Sequence, residues 1–289
     1  MLAGKRLLVI LNGRAGSNAA GRPDGTELLR ERGCDLCVVR STSPEDMLHA
    51  IRTAGDVAGV VIGGGDGTIS LALPALLERG APLGVLPLGT ANDFARSIGV
   101  ADLATACDAI AGGPLRTVDL GMFGKRPFLN VVAIGLPAQA ARELTAERKR
   151  RFGMFAAFAA AVSIARRRRV FTIDATNDGQ ALRARCEAVL VGVGRYVGGV
   201  PVAYEDIDDG KLHLTVCRAL TVRDALSLGL STLLRRLPQN DRIIERMGRS
   251  ISIETFTPMD VAVDGDICAK TPIDVRILTA ALRVFVPAT

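Results

Sequence analysis

Twice in its N-terminal part the chain runs an apolar stretch straight into a glycine-rich turn and then into a helical pattern. The first instance is 57–62 followed by Gly63-Gly64-Gly65-Asp66-Gly67-Thr68; the second is 83–88 followed by Gly89-Thr90-Ala91-Asn92-Asp93-Phe94-Ala95-Arg96. An apolar run bounded by glycines reads as a strand buried on both faces, the environment of a parallel sheet. Helical patterns over 24–32, 44–54, 69–79, 91–98 and 103–111 alternate with strand patterns over 6–11, 35–40, 57–62 and 83–88. That alternation confines this part of the chain to an α/β architecture, a parallel sheet with helices on both faces. The two strand ends then open on one edge, where ligands of open parallel sheets bind.

The residues in the turns say which ligand. Without Cβ atoms, glycines let several backbone N–H groups converge on an anion, as at helix N-termini and nests. Thr68 is expected to cap a helix starting near Ile69, and Asn92 or Asp93 the helix that follows the second turn. Asp66 repels a phosphate, so it needs a Mg²⁺ or a proton-transfer task beside one. Either turn alone is an ordinary strand-to-helix connection; two with acidic residues point to phosphate chemistry.

After Gly121 the texture changes. Short segments at 128–134, 170–175, 184–192, 211–217, 250–255, 260–263 and 274–278 alternate or run apolar with turns between them, a pattern of an antiparallel sandwich. Helical patterns over 152–165 and 222–234 interrupt it. No internal repeat or low-complexity linker is evident.

A chain of 289 residues with 48% hydrophobic residues has material for two cores. The six cysteines lack a second close pair beside Cys34 and Cys37, so they read as reduced core thiols rather than a zinc or disulfide framework. No signal-peptide pattern opens the chain, and no segment reaches the roughly 18 uncharged apolar residues that span a bilayer. A cytoplasmic location is expected. The net charge of +6 is concentrated in residues 148–151 and 166–169, two basic runs that bracket an alanine-rich stretch containing Phe152, Met154, Phe155 and Phe158. That arrangement suits peripheral association with the inner membrane face, although a core helix with solvated ends has the same pattern. Aromatics at 4% and the lack of a nucleic-acid-binding motif argue against nucleic acid as partner. A homodimer is left open.

Gly64-Gly65-Asp66-Gly67-Thr68 followed by Pro87-Leu88-Gly89-Thr90-Ala91-Asn92-Asp93-Phe94-Ala95-Arg96 resembles the diacylglycerol kinase catalytic-domain family, which includes bacterial soluble lipid kinases and sphingosine and ceramide kinases. The early turn Asn12-Gly13-Arg14-Ala15-Gly16 is similar to the family's Asn-Pro-x-Ser-Gly nucleotide turn, with glycine for the proline and alanine for the serine. Asp119-Leu120-Gly121, Phe128-Leu129-Asn130 with Gly135, Gly198-Gly199 with Pro201, Asp208-Asp209-Gly210 and Asp264-Gly265-Asp266 follow in the family's order. The resemblance implies a NAD kinase-like superfamily fold, with a nucleotide-binding domain over 1–121 plus 280–289, to which a last strand over 281–287 returns. A β-sandwich substrate domain over 122–279 completes it, and the active site is expected in the cleft between them.

The resemblance further implies ATP and Mg²⁺ as cofactors and a lipid hydroxyl, diacylglycerol first, as acceptor. Asn12, Gly16, Thr42, Gly64, Gly65, Gly67, Thr68, Thr90 and Asn92 would hold the nucleotide. Asp66 is the catalytic choice, joined by Asp93, and Asp266 stands where the family has a glutamate proposed as the base, one methylene shorter here. A plain hairpin turn is the competing reading of Asp264-Gly265. Asp206, Asp209 and the carbonyl of Lys211 would hold a second, structural metal. Two other functions fit the motifs less fully: a soluble small-molecule kinase of the NAD kinase type, and a nucleotide-binding regulatory protein with little turnover.

Overall fold

The computed structural model describes residues 6–12, 23–143, 169–194, 196–197, 200–201, 206–218 and 243–288. The chain divides into two compact units, Met1–Leu120 with Asp206–Asp209 and Leu278–Thr289, and Gly121–Glu205 with Gly210–Ile277. The turn residues Gly13 to Gly16, the basic runs but for Arg169, and the helices expected over 152–165 and 222–234 lie outside the described residues.

In the first unit, β1 (Arg6–Asn12), β2 (Asp35–Ser41), β3 (Gly59–Gly64) and β4 (Leu83–Pro87) form a parallel sheet in the order β2-β1-β3-β4. The C-terminal part of β17 (Ile273–Phe285) continues it beside β4 through the Val284–Leu83 pair. Every side chain from Leu7 to Leu11 is at most 2% exposed, so β1 is covered on both faces. The crossovers are α1 (Thr26–Glu31), α2 (Pro44–Thr53), α3 (Asp66–Arg79), α4 (Asp93–Ser97) and α5 (Leu103–Gly112). Their starts follow local chemistry: Ser43 accepts the Asp46 amide at 3.1 Å ahead of Pro44, and Asp102 accepts the Thr105 amide at 2.8 Å.

The second unit is antiparallel throughout its described ladders. Its strands are the end of β5 (Leu115–Phe123), then β6 (Arg126–Phe128), β7 (Val131–Gly135), β8 (Phe171–Asn177), β9 (Gln180–Gly192), β12 (Leu212–Arg218), β13 (Ile243–Gly248), β14 (Ser250–Thr255), β15 (Asp260–Val263), β16 (Asp266–Lys270) and the start of β17. Two short strands, β10 (Tyr196–Val197) and β11 (Val200–Pro201), pair apart from them, and one helix, α6 (Leu136–Glu143), follows β7. The 13-residue β9 serves two layers: its first half pairs with β8, its second with β7 on the same edge and with β12 on the other. Cys217 pairs with Ala188 but Arg218 with Cys186, so Glu187 is an extra, bulged residue where the layers part. One layer runs β16-β15-β7-β9-β12-β13 and the other β9-β8-β14-β17. Val132, Val189, Leu214 and Val261 of the first and Ile173, Ile251, Ile253 and Val275 of the second share one core. The sandwich texture expected after Gly121 is this arrangement.

Two sequence expectations are corrected. The separate strands over 274–278 and 281–287 are one strand, β17, in which Ala280 takes φ +50° and donates its amide to the Asp119 carboxylate at 2.7 Å. The thiols are free, as expected, but Cys268 is exposed rather than in the core. Burial pushes the Cys186 thiol up to about 12 and those of Cys107 and Cys217 up to about 11, which keeps them protonated and unreactive. No helix among the described residues is long and apolar enough to cross a membrane.

Candidate active site

The order β2-β1-β3-β4 reverses direction between β1 and β3, because the chain steps to one side for β2 and to the other for β3. At that reversal Asn12, the last residue of β1, donates from Nδ2 to Thr68 Oγ1 at 3.0 Å. The two glycine turns lie next to it: Gly64 pairs with Pro87 across β3 and β4, and Leu88 donates its amide to the Gly64 carbonyl at 3.1 Å. The common edge expected of the two turns is therefore present.

The turns also touch backbone to backbone. A Cβ on Gly89 would stand 2.4 Å from the Gly65 Cα, and one on Gly64 would stand 2.7 Å from Thr68 Oγ1. Gly67 is different: it is exposed, with nothing within 4 Å of where its Cβ would be. Open space therefore lies over the first turn of α3, whose leading amides have no partner inside the helix.

Thr68 is not the cap that the sequence suggested. Gly65, with extended backbone, occupies that position and α3 begins at Asp66, so Thr68 falls inside the first turn, 9% exposed, and presents its hydroxyl to Asn12. A helix whose cap is glycine makes no side-chain cap bond, which frees the turn for an outside acceptor.

Asp66 reaches across to the second turn. Its Oδ2 accepts the Asp93 amide at 3.0 Å and its Oδ1 the Phe94 amide at 2.8 Å, so Asp66 closes the N-terminus of α4 from another helix. The expectation that Asn92 or Asp93 caps α4 is thereby corrected. Asn92 precedes α4 in the left-handed region, φ +53°, and makes no side-chain cap bond; its Oδ1 accepts the Gly89 amide at 2.9 Å and its Nδ2 donates to the Gly89 and Pro87 carbonyls. It staples the turn. Asp93 is 6% exposed in the first turn of α4, and its carbonyl accepts from Ser97. Thr90 is exposed at the turn's tip, and Arg96 donates Nε to the Ala91 carbonyl.

Thr42 follows β2 on the same edge. Its hydroxyl donates to Asp46 at 2.9 Å and holds that carboxyl below its ordinary range. Gly16 lies outside the described residues.

The two aspartates of Asp264-Gly265-Asp266 part company in the second unit. Asp264 and Gly265 take φ +48° and +90°, the two-residue hairpin turn between β15 and β16. The Asp264 carboxylate accepts the amides of Leu129, Asn130 and Val131 at 2.9–3.0 Å. This anchor joins Phe128-Leu129-Asn130 to the turn, two motifs 134–135 residues apart whose contact leaves no local signal in the sequence. Asp266, one residue past the turn, is 65% exposed and pairs with Arg126 at 3.1 Å.

The acidic loop at 206–211 already holds a cation. Arg116 donates to Asp206 at 2.9 Å and to both oxygens of Asp208 at 2.6 and 2.8 Å, which holds the Asp208 carboxyl below its usual range. Arg116, on β5, had not been singled out in the sequence. No group of three His, Cys, Asp or Glu among the described residues converges to hold a metal ion.

Comparison with known proteins agrees with this architecture. Residues 6–123 match the diacylglycerol kinase catalytic domain, and residues 130–286 match the YegS C-terminal NAD kinase beta sandwich-like domain. The chain is 31% identical over 296 residues to the "Probable lipid kinase YegS-like" protein of Klebsiella pneumoniae (strain 342), covering 97% of this chain and 95% of that one. It is 27% identical to a Staphylococcus saprophyticus protein named diacylglycerol kinase, covering 98% and 96%. An uncharacterized protein of Synechocystis is 28% identical over 236 residues, and there the match spans 79% of this chain but only 54% of the relative's length. Among solved structures, a Bacillus anthracis str. Sterne protein named "putative diacylglycerol kinase" superposes with a TM-score of 0.81 at 25% identity, covering 98% of this chain and 95% of the other. A chain matched along nearly its whole length by both domain models, with the switch-point edge and the paired glycine turns in place, belongs to the diacylglycerol kinase catalytic-domain family.

Proposed function

We propose that this kinase transfers the γ-phosphoryl group of ATP, with Mg²⁺, to a lipid hydroxyl, a diacylglycerol-like acceptor being the first choice. The observation that carries the reading is the contact between the two glycine turns at the switch point, with Asp66 spanning them and open space over Gly67. Relatives named lipid kinase and diacylglycerol kinase point to the acceptor class.

The residues present fit a nucleotide phosphate: glycines whose amides an anion can approach, a helix N-terminus without a side-chain cap, and a hydroxyl at Thr68. A divalent cation, when bound, neutralises charge on the transferring phosphoryl group. Asp66, whose oxygens accept the Asp93 and Phe94 amides at the meeting of the two turns, would hold one through water. The amides of Gly65, Asp66 and Gly67 orient the phosphates, and Asn12 holds the Thr68 hydroxyl toward the same edge. Asp93 is buried in the first turn of α4, where its amide meets the Asp66 carboxylate. The acceptor's proton goes to Asp266, whose exposure leaves it open to a substrate and whose ion pair with Arg126 orients it. At the acidic loop a second divalent cation would use Asp209 and the Lys211 carbonyl as hard oxygen donors, since Arg116 holds the Asp206 carboxylate.

The test is incubation with Mg²⁺, radiolabelled ATP and mixed micelles carrying diacylglycerol, sphingosine, ceramide, monoacylglycerol or phosphatidylglycerol. Label is expected in one lipid extract and absent with Asp66→Ala. ATP binding without label in any lipid would overturn the reading in favour of a nucleotide-binding regulator, and label in a water-soluble acceptor would favour the NAD kinase type.

A further inference from the structure

Phe256, immediately after β14, is 100% exposed. A single exposed apolar side chain is ordinary, but a phenyl ring wholly in water at a turn tip is apolar area that a partner of the right chemistry can bury. Thr255 pairs with Ile173 of β8, which places Phe256 at the end of the sandwich where β8 begins. There Val170 is 41% exposed, and Arg169 beside it is exposed. The same end gathers Arg185, opposite Thr172, and Arg218, opposite Cys186. Arg169, Arg185 and Arg218 are exposed and make no ion pair among the described residues. Among the described residues, the acidic groups nearby are Asp174 with Arg183 at 3.5 Å, Asp260 with Lys270 at 3.7 Å, the exposed Glu254, the buried Glu187, and Glu245, which lies close enough to Cys217 to act on its thiol.

We infer that this end of the sandwich docks on an anionic lipid bilayer, with Phe256 and Val170 entering the interface and Arg169, Arg185 and Arg218 meeting lipid phosphates. The inference rests on the lipid-acceptor reading above for its purpose, since such an acceptor is met at a membrane. One inserted apolar group gives marginal, reversible binding, and an adjacent basic group supplies the second signal that makes it effective. Guanidinium pairs with phosphate in a two-pronged geometry, and an aromatic ring suits the boundary between headgroups and acyl chains. A second copy of the chain is the poorer occupant, because a two-fold contact would bring the same three cations against their equivalents.

The chain contains no tryptophan, so Phe256→Trp in the full-length protein gives a single fluorescent reporter at the tip. Its emission is expected to shift to the blue with phosphatidylglycerol vesicles, to be quenched by brominated acyl chains, and to stay unchanged with phosphatidylcholine vesicles. Phe256→Ser is expected to weaken partition into the anionic vesicles about tenfold or more. Arg169→Gln, Arg185→Gln and Arg218→Gln are each expected to weaken it about fivefold at low salt, with the effect fading at high salt. Unchanged emission with phosphatidylglycerol vesicles, equal binding to both kinds, or a blue shift without lipid that grows with protein concentration would overturn the inference, the last in favour of a second copy. Binding is read without turnover, so a protein that docks but labels no lipid would fail the kinase reading alone.

Discussion

Gly67 and Gly89 stand in the two turns for opposite reasons, and substitution separates them. A Cβ on Gly89 would press on the Gly65 Cα at 2.4 Å and on Asn92 Oδ1 at 2.7 Å, backbone and a stapled side chain that cannot give way. Gly89→Ala is expected to cost about 2–3 kcal/mol in urea unfolding. Gly67 has open space around it inside a helix, so Gly67→Ala is expected to raise stability by up to about 1 kcal/mol. Under the proposed function its added methyl would nevertheless enter the space left for a phosphate, and phosphoryl transfer is expected to fall. A variant more stable and fully active would remove Gly67 from the site. Asp66 was legible in the sequence as an acidic residue within a glycine-rich turn, but its grip on the Asp93 and Phe94 amides was not, because those partners are 27 and 28 residues away in the chain.

At the scale of elements, the β15–β16 hairpin combines two jobs that the sequence presented as one motif. Asp264 satisfies three consecutive backbone amides, whereas Asp266 makes one exposed ion pair. Asp264→Ala is expected to lower stability by about 2–3 kcal/mol, because three amides lose a charged acceptor together. Asp266→Asn is expected to change it by less than about 1 kcal/mol while reducing phosphoryl transfer to lipid. Equal stability losses in the two variants, measured by thermal unfolding, would contradict the division. Strand and helix kinds were readable because apolar runs and turn residues carry that information locally. Ends were less so: α3 begins three residues ahead of its apolar pattern, since its start is fixed by extended backbone at Gly65 rather than by a capping side chain.

For the molecule as a whole, the first unit is assembled from three separate stretches of chain, and Arg116 ties the short Asp206–Asp209 stretch to β5. Because Arg116 depresses the Asp208 carboxyl below its usual 3.8, the stabilisation from this pair is fully present above that value and is lost as pH falls through the lower folded value. Both side chains are 34% exposed, so the contribution is discounted to about 1 kcal/mol. Asp208→Asn is expected to lower the unfolding free energy by that amount at pH 7, with the difference closing below about pH 4 in a denaturant series. A difference that persists at low pH would assign the loss to packing. What the sequence by itself determined was the α/β-then-sandwich order, the paired glycine turns and the family, because these rest on short-range patterns of apolar, glycine and acidic residues. Only the tertiary structure decided that Asp66 closes α4, that Arg116 sits among the acidic residues of the 206–211 loop, that Asp264 anchors Leu129 to Val131, and that Phe256 stands bare. Each of those depends on which distant strands and helices become neighbours, and a hydrogen bond between remote residues leaves no periodic trace in a single chain.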